Sequence, residues 1–118
     1  MDSKTQEGAE AEAFAILHFT KEGWHVFTQA TGKAPCDLVI VKDNEVKRIQ
    51  VKSTSQETST GGFKVELKTV RHNSKKNTIK NFDSSKSDLL FIYIKPLGIF
   101  KVLESLPLHN RTGITIQP

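Results

Sequence analysis

Two apolar runs decide the fold of this chain: PCDLVIV at residues 35–41 and IQVKS at residues 49–53. Residues two apart on a β-strand project from the same face. The second run therefore predicts that Gln50 and Lys52 lie on one face of a strand, while their apolar neighbours pack on the other face. Each run thus carries polar groups inside an apolar segment, and these groups need a structural or chemical partner.

A predicted turn brings these polar groups together. Asp43 and Asn44 are typical turn residues and lie where the two strands would reverse direction. Pairing as a hairpin places Asp37 close to Gln50 and Lys52. Acid and amide oxygens hold hard cations, and a lysine beside them can steady a hydroxide or a phosphate oxygen. The pattern favours a site for metal-assisted hydrolysis of phosphodiesters.

These residues also carry a resemblance to a known family. Asp37, a hairpin and then Gln50-x-Lys52 resemble the motif of the PD-(D/E)XK nucleases, with glutamine where an acid is usual. Residues 8–12, followed by a helix that ends at a glycine and a tryptophan, resemble the helix that supplies a further acid in these nucleases. Over about residues 7–95, the chain is similar to small phage and intron-associated endonucleases with glutamine in the motif, and next to archaeal-type Holliday junction resolvases.

The resemblance implies a fold and a set of functional residues. The fold is α/β: a restriction-endonuclease-like core of order αβββαβ, with a mixed β-sheet flanked by helices. The catalytic residues would be Asp37, Gln50, Lys52 and Glu12. The ligands of Mg²⁺, for which Mn²⁺ would substitute, would be Asp37, Glu12, Gln50 and the backbone carbonyl of Val51.

Glutamine in the motif requires a compensating acid, because an amide contributes a carbonyl oxygen without the charge of a carboxylate. Glu12 is the candidate, since its distance from the end of the helix resembles that of the helix acid in the family. Glu10 is the competitor on a different face of the helix. Glu66, on a later predicted strand, is a second possible donor. The alternative is that the helix acids form only a solvated face.

Hydrophobic patterning gives the remaining elements. A helix is predicted up to Gly23, and residues 71–86 are predicted to form a loop or a short helix. Strands are predicted at residues 25–29, 38–41, 46–53, 63–68, 88–95 and 99–103, with a short edge strand after residue 106. This order is that of an α/β protein with a mixed sheet.

Composition limits the class of protein. The 118 residues are predicted to form a single domain, residues 1–118, with 36% hydrophobic and 25% charged residues. The single cysteine excludes an internal disulfide and points to the cytoplasm, and no apolar run is long enough to span a membrane. The net charge of +4 favours a polyanionic partner, although many other proteins carry a similar charge.

Positive residues concentrate in one polar segment. Together with two residues near the motif, they are predicted to contact DNA phosphates: Lys33, Ser53, Arg71, Lys75, Lys76 and Lys80, with His72 and Lys86 close by in sequence. The alternative is a solvated loop. No segment resembles a recognition helix rich in side chains that read base edges.

The sequence is compatible with three functions. The first is a metal-dependent DNA endonuclease that resolves branched DNA such as Holliday junctions. The second is a site-specific homing or restriction-like endonuclease of the group I intron type, and the third is a DNA-binding module without catalysis. Because a chain with one active site cuts two strands only as an assembly, a homodimer or higher homo-oligomer is expected.

Overall fold

The computed structural model describes residues 3–32, 34–72 and 77–118. Within those residues one α-helix, α1 (Ser3–Lys21), precedes nine β-strands. The strands are β1 (His25–Thr28), β2 (Leu38–Lys42), β3 (Glu45–Thr54), β4 (Phe63–Glu66), β5 (Thr69–His72), β6 (Asn77–Lys80), β7 (Leu89–Ile94), β8 (Ile99–Glu104) and β9 (Gly113–Ile116). No helix in these ranges has both the length and the apolar content needed to cross a membrane.

The central sheet has the order β1-β2-β3-β7-β8. Its neighbours pair antiparallel except β3 and β7, which run parallel. Two further antiparallel pairs, β4–β9 and β5–β6, form separate small sheets. A helix and a five-stranded mixed sheet confirm the predicted α/β class.

In the described residues, two short strands and a 3-10 helix lie where the expected αβββαβ order has its second helix. The segment predicted as a loop or short helix contains β5, β6 and a 3-10 helix at Ser84–Lys86. Its strands carry the β-branched pairs Thr69-Val70 and Thr78-Ile79, which favour extended backbone. The carboxylate of Asp83 accepts a hydrogen bond from the backbone N–H of Ser85 (3.0 Å). This local bond favours a short turn at Ser84–Lys86 over a longer α-helix.

The end of α1 follows the predicted stop signal. Gly23 has φ +90°, a conformation that glycine adopts without strain. Its N–H donates to the carbonyl of Thr20 (3.1 Å), and the N–H of Trp24 donates to that of Phe19 (3.0 Å). This pair of bonds is a Schellman motif. Trp24 then packs against the core under α1 and fixes the direction of the chain into β1.

The central sheet separates two cores. On one side, Ala11, Ala15 and Phe19 of α1 pack on Leu38, Ile40, Ile49, Phe91 and Tyr93. On the other side, β4 and β9 pack on Leu90, Ile92 and Ile94, with Phe82. Burial of each large apolar side chain contributes about 1.5–3 kcal/mol, so both layers hold the sheet firmly.

The β2–β3 hairpin turns at the predicted residues. Lys42 pairs with Glu45, which leaves Asp43 and Asn44 as the turn, and Asp43 has φ +55°. Short acidic and amide side chains tolerate this conformation. The resulting register pairs Leu38 with Ile49, so the start of β2 lies beside the middle of β3.

Candidate active site

Asp37 lies immediately before β2, and its carboxylate takes the place of a strand carbonyl. Its backbone N–H donates to the carbonyl of Ile49 (3.0 Å). Its Oδ2 then accepts the backbone N–H of Val51 (2.8 Å), an N–H group that β2 no longer reaches. The preceding residue, Cys36, is buried, and burial raises the pKa of its thiol, as expected for a packing residue.

Gln50 contacts Asp37 directly. Its Nε2 donates to Oδ2 of Asp37 at 3.0 Å, and both side chains are half-buried. The other carboxylate oxygen, Oδ1, accepts no hydrogen bond from the described residues. The structure therefore brings together Asp37, Gln50 and the backbone of Val51, as the hairpin prediction expects, and leaves one acidic oxygen open.

Lys52 shares a face of β3 with Gln50, and this face borders a cleft. The cleft has a volume of about 650 Å³. Its basic lining residues are Lys52, Lys80, Lys86 and His109, and Asp83 is its acid. Lys52 is half-buried and forms no salt bridge with any residue the structure describes. A partly dehydrated wall with excess positive charge attracts a polyanion.

The acidic residues of α1 differ in their contacts. Glu10 forms a salt bridge with Lys95 (3.4 Å), beyond the end of β7. Glu7, which the sequence did not single out, accepts a hydrogen bond from Ser55 Oγ (3.0 Å). Glu12 is half-buried and has no hydrogen bond or ion pair to the described residues. The structure thus does not join Glu12 to Asp37 by a direct contact, and it engages Glu10 elsewhere.

Two predicted residues lie away from the cleft. Glu66 is exposed on β4 and forms a salt bridge with Lys68 (3.7 Å). Ser53 borders a different cavity of about 570 Å³ that also includes Glu7 and Glu66. Since residues alternate along β3, Ser53 has the opposite orientation to Lys52. Neither residue contacts Asp37 or Gln50 in the described structure.

The predicted basic segment reaches the cleft through one lysine. Lys80, at the end of β6, borders the same cleft as Gln50 and Lys52. The backbone of Arg71 is part of β5, but its side chain lies outside the part of the chain that the structure describes. Lys33, Lys75 and Lys76 also lie outside the described residues.

The far wall of the cleft contains groups that the sequence did not identify. His109 Nδ1 lies 3.1 Å from Ser84 Oγ and 3.2 Å from the backbone nitrogen of Ser84. Asp83 accepts a hydrogen bond from Ser85 Oγ (2.6 Å), and the hydroxyl and backbone N–H of Ser85 lower the pKa of Asp83. His109 lies far from the motif in sequence, so only the fold reveals that it shares the cleft.

The sequence as a whole matches a family model. The match, to the family described as PD-(D/E)XK endonuclease, extends over residues 1–117. It includes Asp37 and Gln50, which are hydrogen-bonded to one another, and Lys52, which borders the same cleft as Gln50. This chain belongs to the PD-(D/E)XK endonuclease family.

Two individual proteins are similar to this family member. Protein 5.3 of Escherichia phage T7 is 34% identical over 65 residues, which are 54% of this chain and 55% of the phage protein. The chain thus spans about half the length of that relative. The solved structure of the bacterial homing endonuclease I-Ssp6803I has a TM-score of 0.87 and 23% identity, covering 99% of this chain and 80% of its own. At this identity the likeness supports the fold.

The donor set fits a hard divalent cation. Asp37 offers an open carboxylate oxygen, and the adjacent amide of Gln50 offers an oxygen once its plane turns over. In the described ranges, no group of three or more His, Cys, Asp or Glu side chains lies close enough to hold one ion.

Proposed function

We propose that this protein is a Mg²⁺-dependent endodeoxyribonuclease, in which Mn²⁺ also supports the reaction. The observation that carries this proposal is the open Oδ1 of Asp37, whose hydrogen-bond partner Gln50 borders a cleft with excess positive charge. An acid in this position can bind a cation, and the cleft can bind the phosphates of the substrate.

The proposed metal ligands are Asp37, Gln50, Glu12 and the backbone carbonyl of Val51. A bound Mg²⁺ supplies charge stabilisation at the scissile phosphate and lowers the pKa of bound water. Asp37 is positioned for this role because two N–H groups fix its Oδ2 and leave its Oδ1 open. Glu12 is preferred over Glu10 because Glu10 is engaged by Lys95.

Lys52 is proposed to act on the reacting groups. Its ammonium lies on the same face of β3 as Gln50 and is not neutralised by a described acid. It can therefore orient the attacking water or stabilise negative charge on the phosphate. Removal of such a group from a preorganised site lowers rates by about 10²–10³-fold.

The path of the DNA strand is proposed to follow the cleft. Lys80 and Lys86 border it together with Lys52, which gives three positive side chains along one surface. Contacts of lysine with phosphate position the strand and carry no sequence information. The nearby hydroxyl and imidazole groups of Ser84 and His109 add hydrogen-bonding capacity to the same wall.

We favour linear duplex DNA as the substrate. The β5–β6 hairpin forms a two-stranded ribbon separate from the other sheets, and Lys80 at its end borders the cleft. A two-stranded ribbon fits the major groove. This ribbon supports the homing-type alternative over the branched DNA that ranks first on sequence alone. Branched DNA is the second candidate, because the lysine-lined cleft suits recognition of phosphate position.

The experiment is a cleavage assay on supercoiled plasmid, a linear duplex and a four-way junction, with Mg²⁺, Mn²⁺ or EDTA. We expect cutting with either metal and none with EDTA. Asp37→Asn and Lys52→Ala should each lower the rate by about 10²-fold or more while DNA binding persists, because both side chains serve the reacting phosphate.

A matched control is Lys64→Ala, which removes an exposed lysine of β4 that does not border the cleft. It should cut like the wild-type protein. Wild-type rates in both Asp37→Asn and Lys52→Ala would exclude this active site. DNA binding by wild-type protein without metal-dependent nicking would instead support the non-catalytic module.

A further inference from the structure

The far wall of the cleft is formed by two chain segments, residues 81–87 and 109–110, which are distant in sequence. The backbone N–H of Phe82 donates to the carbonyl of Arg111 (3.0 Å). The backbone N–H of Asn110 donates in turn to the carbonyl of Phe82 (2.7 Å). These bonds cross-link the two segments and fix the backbone of the wall, so its side chains have defined starting points.

His109, on the second segment, has one ring nitrogen bound to this wall. Its Nδ1 accepts a hydrogen bond from the backbone N–H of Ser84 (3.2 Å) and lies 3.1 Å from the Ser84 hydroxyl. A backbone N–H can only donate, so Nδ1 must be the acceptor in this contact. A neutral imidazole carries a single ring proton. In neutral His109 this proton therefore lies on Nε2.

The second ring nitrogen of His109 is available to a ligand. Nε2 forms no hydrogen bond with the residues that the structure describes, and the side chain is exposed where it borders the cleft. Ser84 is not among the described residues that line the cleft. Because the two ring nitrogens point in widely different directions, Nε2–H is directed away from Ser84 and is accessible from the cleft.

This tautomer limits the role of the imidazole. With a proton already on Nε2, the neutral ring cannot take a proton from the attacking water at that atom, so Nε2 does not act as a general base. Nε2–H can instead donate a hydrogen bond to an acceptor in the cleft. Phosphate oxygens receive most of the hydrogen bonds that proteins make to the DNA backbone.

The charges around this histidine favour an anionic acceptor. Lys86 borders the same wall, and Lys52 and Lys80 border the same cleft. Asp83 is the acid among the described lining residues, and its Oδ1 already accepts hydrogen bonds from the hydroxyl and the backbone N–H of Ser85. Excess positive charge around a free N–H donor attracts a phosphate group.

We propose that His109 is a positioning residue, which donates a hydrogen bond from Nε2–H to a phosphate oxygen of bound DNA. This inference rests on the proposed function for the identity of the ligand as DNA. The donor is neutral, so it adds affinity without the release of a counterion that accompanies each lysine contact. It holds the strand and does not act on the reacting atoms.

Three substitutions at position 109 separate donation to DNA from support of the wall. His109→Ala removes both nitrogens, His109→Gln places an amide N–H near the position of Nε2, and His109→Asn places an oxygen near Nδ1, where it can still accept from Ser84. His109→Ala and His109→Asn should raise the dissociation constant for a short duplex about tenfold, the effect of one hydrogen bond to a charged group. His109→Gln should recover most of this loss. Fluorescence anisotropy in EDTA measures binding without cleavage.

A salt series tests whether the donor is neutral. In mildly alkaline buffer, where histidine side chains are generally uncharged, His109→Ala should leave the slope of log affinity against log salt unchanged. Lys86→Ala should instead reduce that slope by about one. The matched control is His25→Ala, at an exposed histidine of β1 that is not among the described cleft residues. It should bind DNA like the wild-type protein, and circular dichroism measures whether each variant is folded.

Nicking kinetics with Mg²⁺ test the distinction between positioning and chemistry. His109→Ala should raise the DNA concentration at half-maximal rate about tenfold and leave the rate at saturating DNA close to that of the wild-type protein, because it removes an interaction made equally in the ground and transition states. A fall in the saturating rate with unchanged half-saturation would overturn the positioning role.

The binding outcomes are equally decisive. Wild-type affinity in His109→Ala would overturn the proposal. Rescue by His109→Asn in place of His109→Gln, or equal loss in all three variants, would also overturn it and make the imidazole a support of the wall. A lower salt slope in His109→Ala would overturn the neutral donor.

Binding in EDTA also separates this inference from the proposed nuclease activity. If the wild-type protein bound DNA without nicking it, the expected pattern at position 109 would still support the phosphate contact. If Asp37→Asn stopped nicking while His109→Ala bound DNA normally, the active site would stand and the phosphate contact would be overturned.

Discussion

The two faces of β3 have opposite properties. Towards α1, Ile49 is fully buried and Val51 packs against the same core. Towards the cleft, Lys52 lies beside Ile92, its register partner in β7, which is fully buried. An ammonium next to an apolar layer loses part of its hydration. One face of β3 therefore stabilises the fold, and the other carries the partly dehydrated ammonium of Lys52.

The largest effect on cleavage should come from removing the positive charge that Lys52 places on the cleft face of β3. Lys52→Met keeps the length of the side chain and removes the charge. We expect the rate of DNA cleavage to fall by about 10²–10³-fold. The free energy of unfolding should stay within about 0.5 kcal/mol of the wild-type value or rise, because no ion pair is lost and less polar surface is dehydrated. Plasmid nicking and urea denaturation measure the two quantities.

Ile49→Ala is the counterpart on the α1 face. It should lower the free energy of unfolding by about 2–5 kcal/mol, because it leaves a cavity beneath α1. Its cleavage rate per folded molecule should remain close to that of the wild-type protein. If Lys52→Met unfolded the protein while Ile49→Ala stopped cleavage, the assignment of the two faces would be reversed.

The local part of the site could be predicted from the sequence. The alternation around Gln50 and Lys52 and the turn at Asp43 fix which residues of β2 and β3 meet, and the contact of Asp37 with Gln50 follows from that register. Strand period and turn chemistry are properties of neighbouring residues, so they are visible without the fold.

The rest of the site depends on distant packing. His109 contacts Ser84 because the chain after β8 returns to the cleft, and no local sequence pattern predicts this contact. The β5–β6 hairpin was missed because polar residues outnumber Val70 and Ile79 in its hydrophobicity pattern, and Ile79 is 60% exposed. The sequence favours Glu12 over Glu10 from its distance to the end of the helix, whereas the salt bridge between Glu10 and Lys95 is visible only in the structure.

A smaller effect should distinguish the helix acids. Glu12→Gln should raise the Mg²⁺ concentration needed for half-maximal nicking by roughly 10-fold or more, because it removes the acid proposed to compensate for Gln50. Glu10→Gln should leave that concentration unchanged, since its partner is Lys95. Nicking of one strand is the measurement, because it requires only one active site.

The companion substitution is Gln50→Glu. It should be tolerated in Mg²⁺, because it restores the acid usual in the family. Without metal it places two carboxylates where Gln50 and Asp37 are now 3.0 Å apart, so added Mg²⁺ should raise the thermal stability of this variant more than that of the wild-type protein. The opposite ranking of Glu10→Gln and Glu12→Gln would assign the compensating acid to the other face of α1.

The smallest expected effect concerns the cleft lysines Lys80 and Lys86, which lie off β3 and serve binding rather than chemistry. Lys80→Ala and Lys86→Ala should each weaken DNA binding several-fold and reduce the slope of log affinity against log salt by about one, because each removes one phosphate contact. Lys64→Ala should leave that slope unchanged. Binding to a four-way junction and to two linear duplexes of different sequence should weaken equally, since phosphate contacts do not distinguish sequences. If Lys80→Ala instead abolished discrimination between the two duplexes, the end of the β5–β6 hairpin would read base edges, and the cleft wall itself would contribute to site recognition.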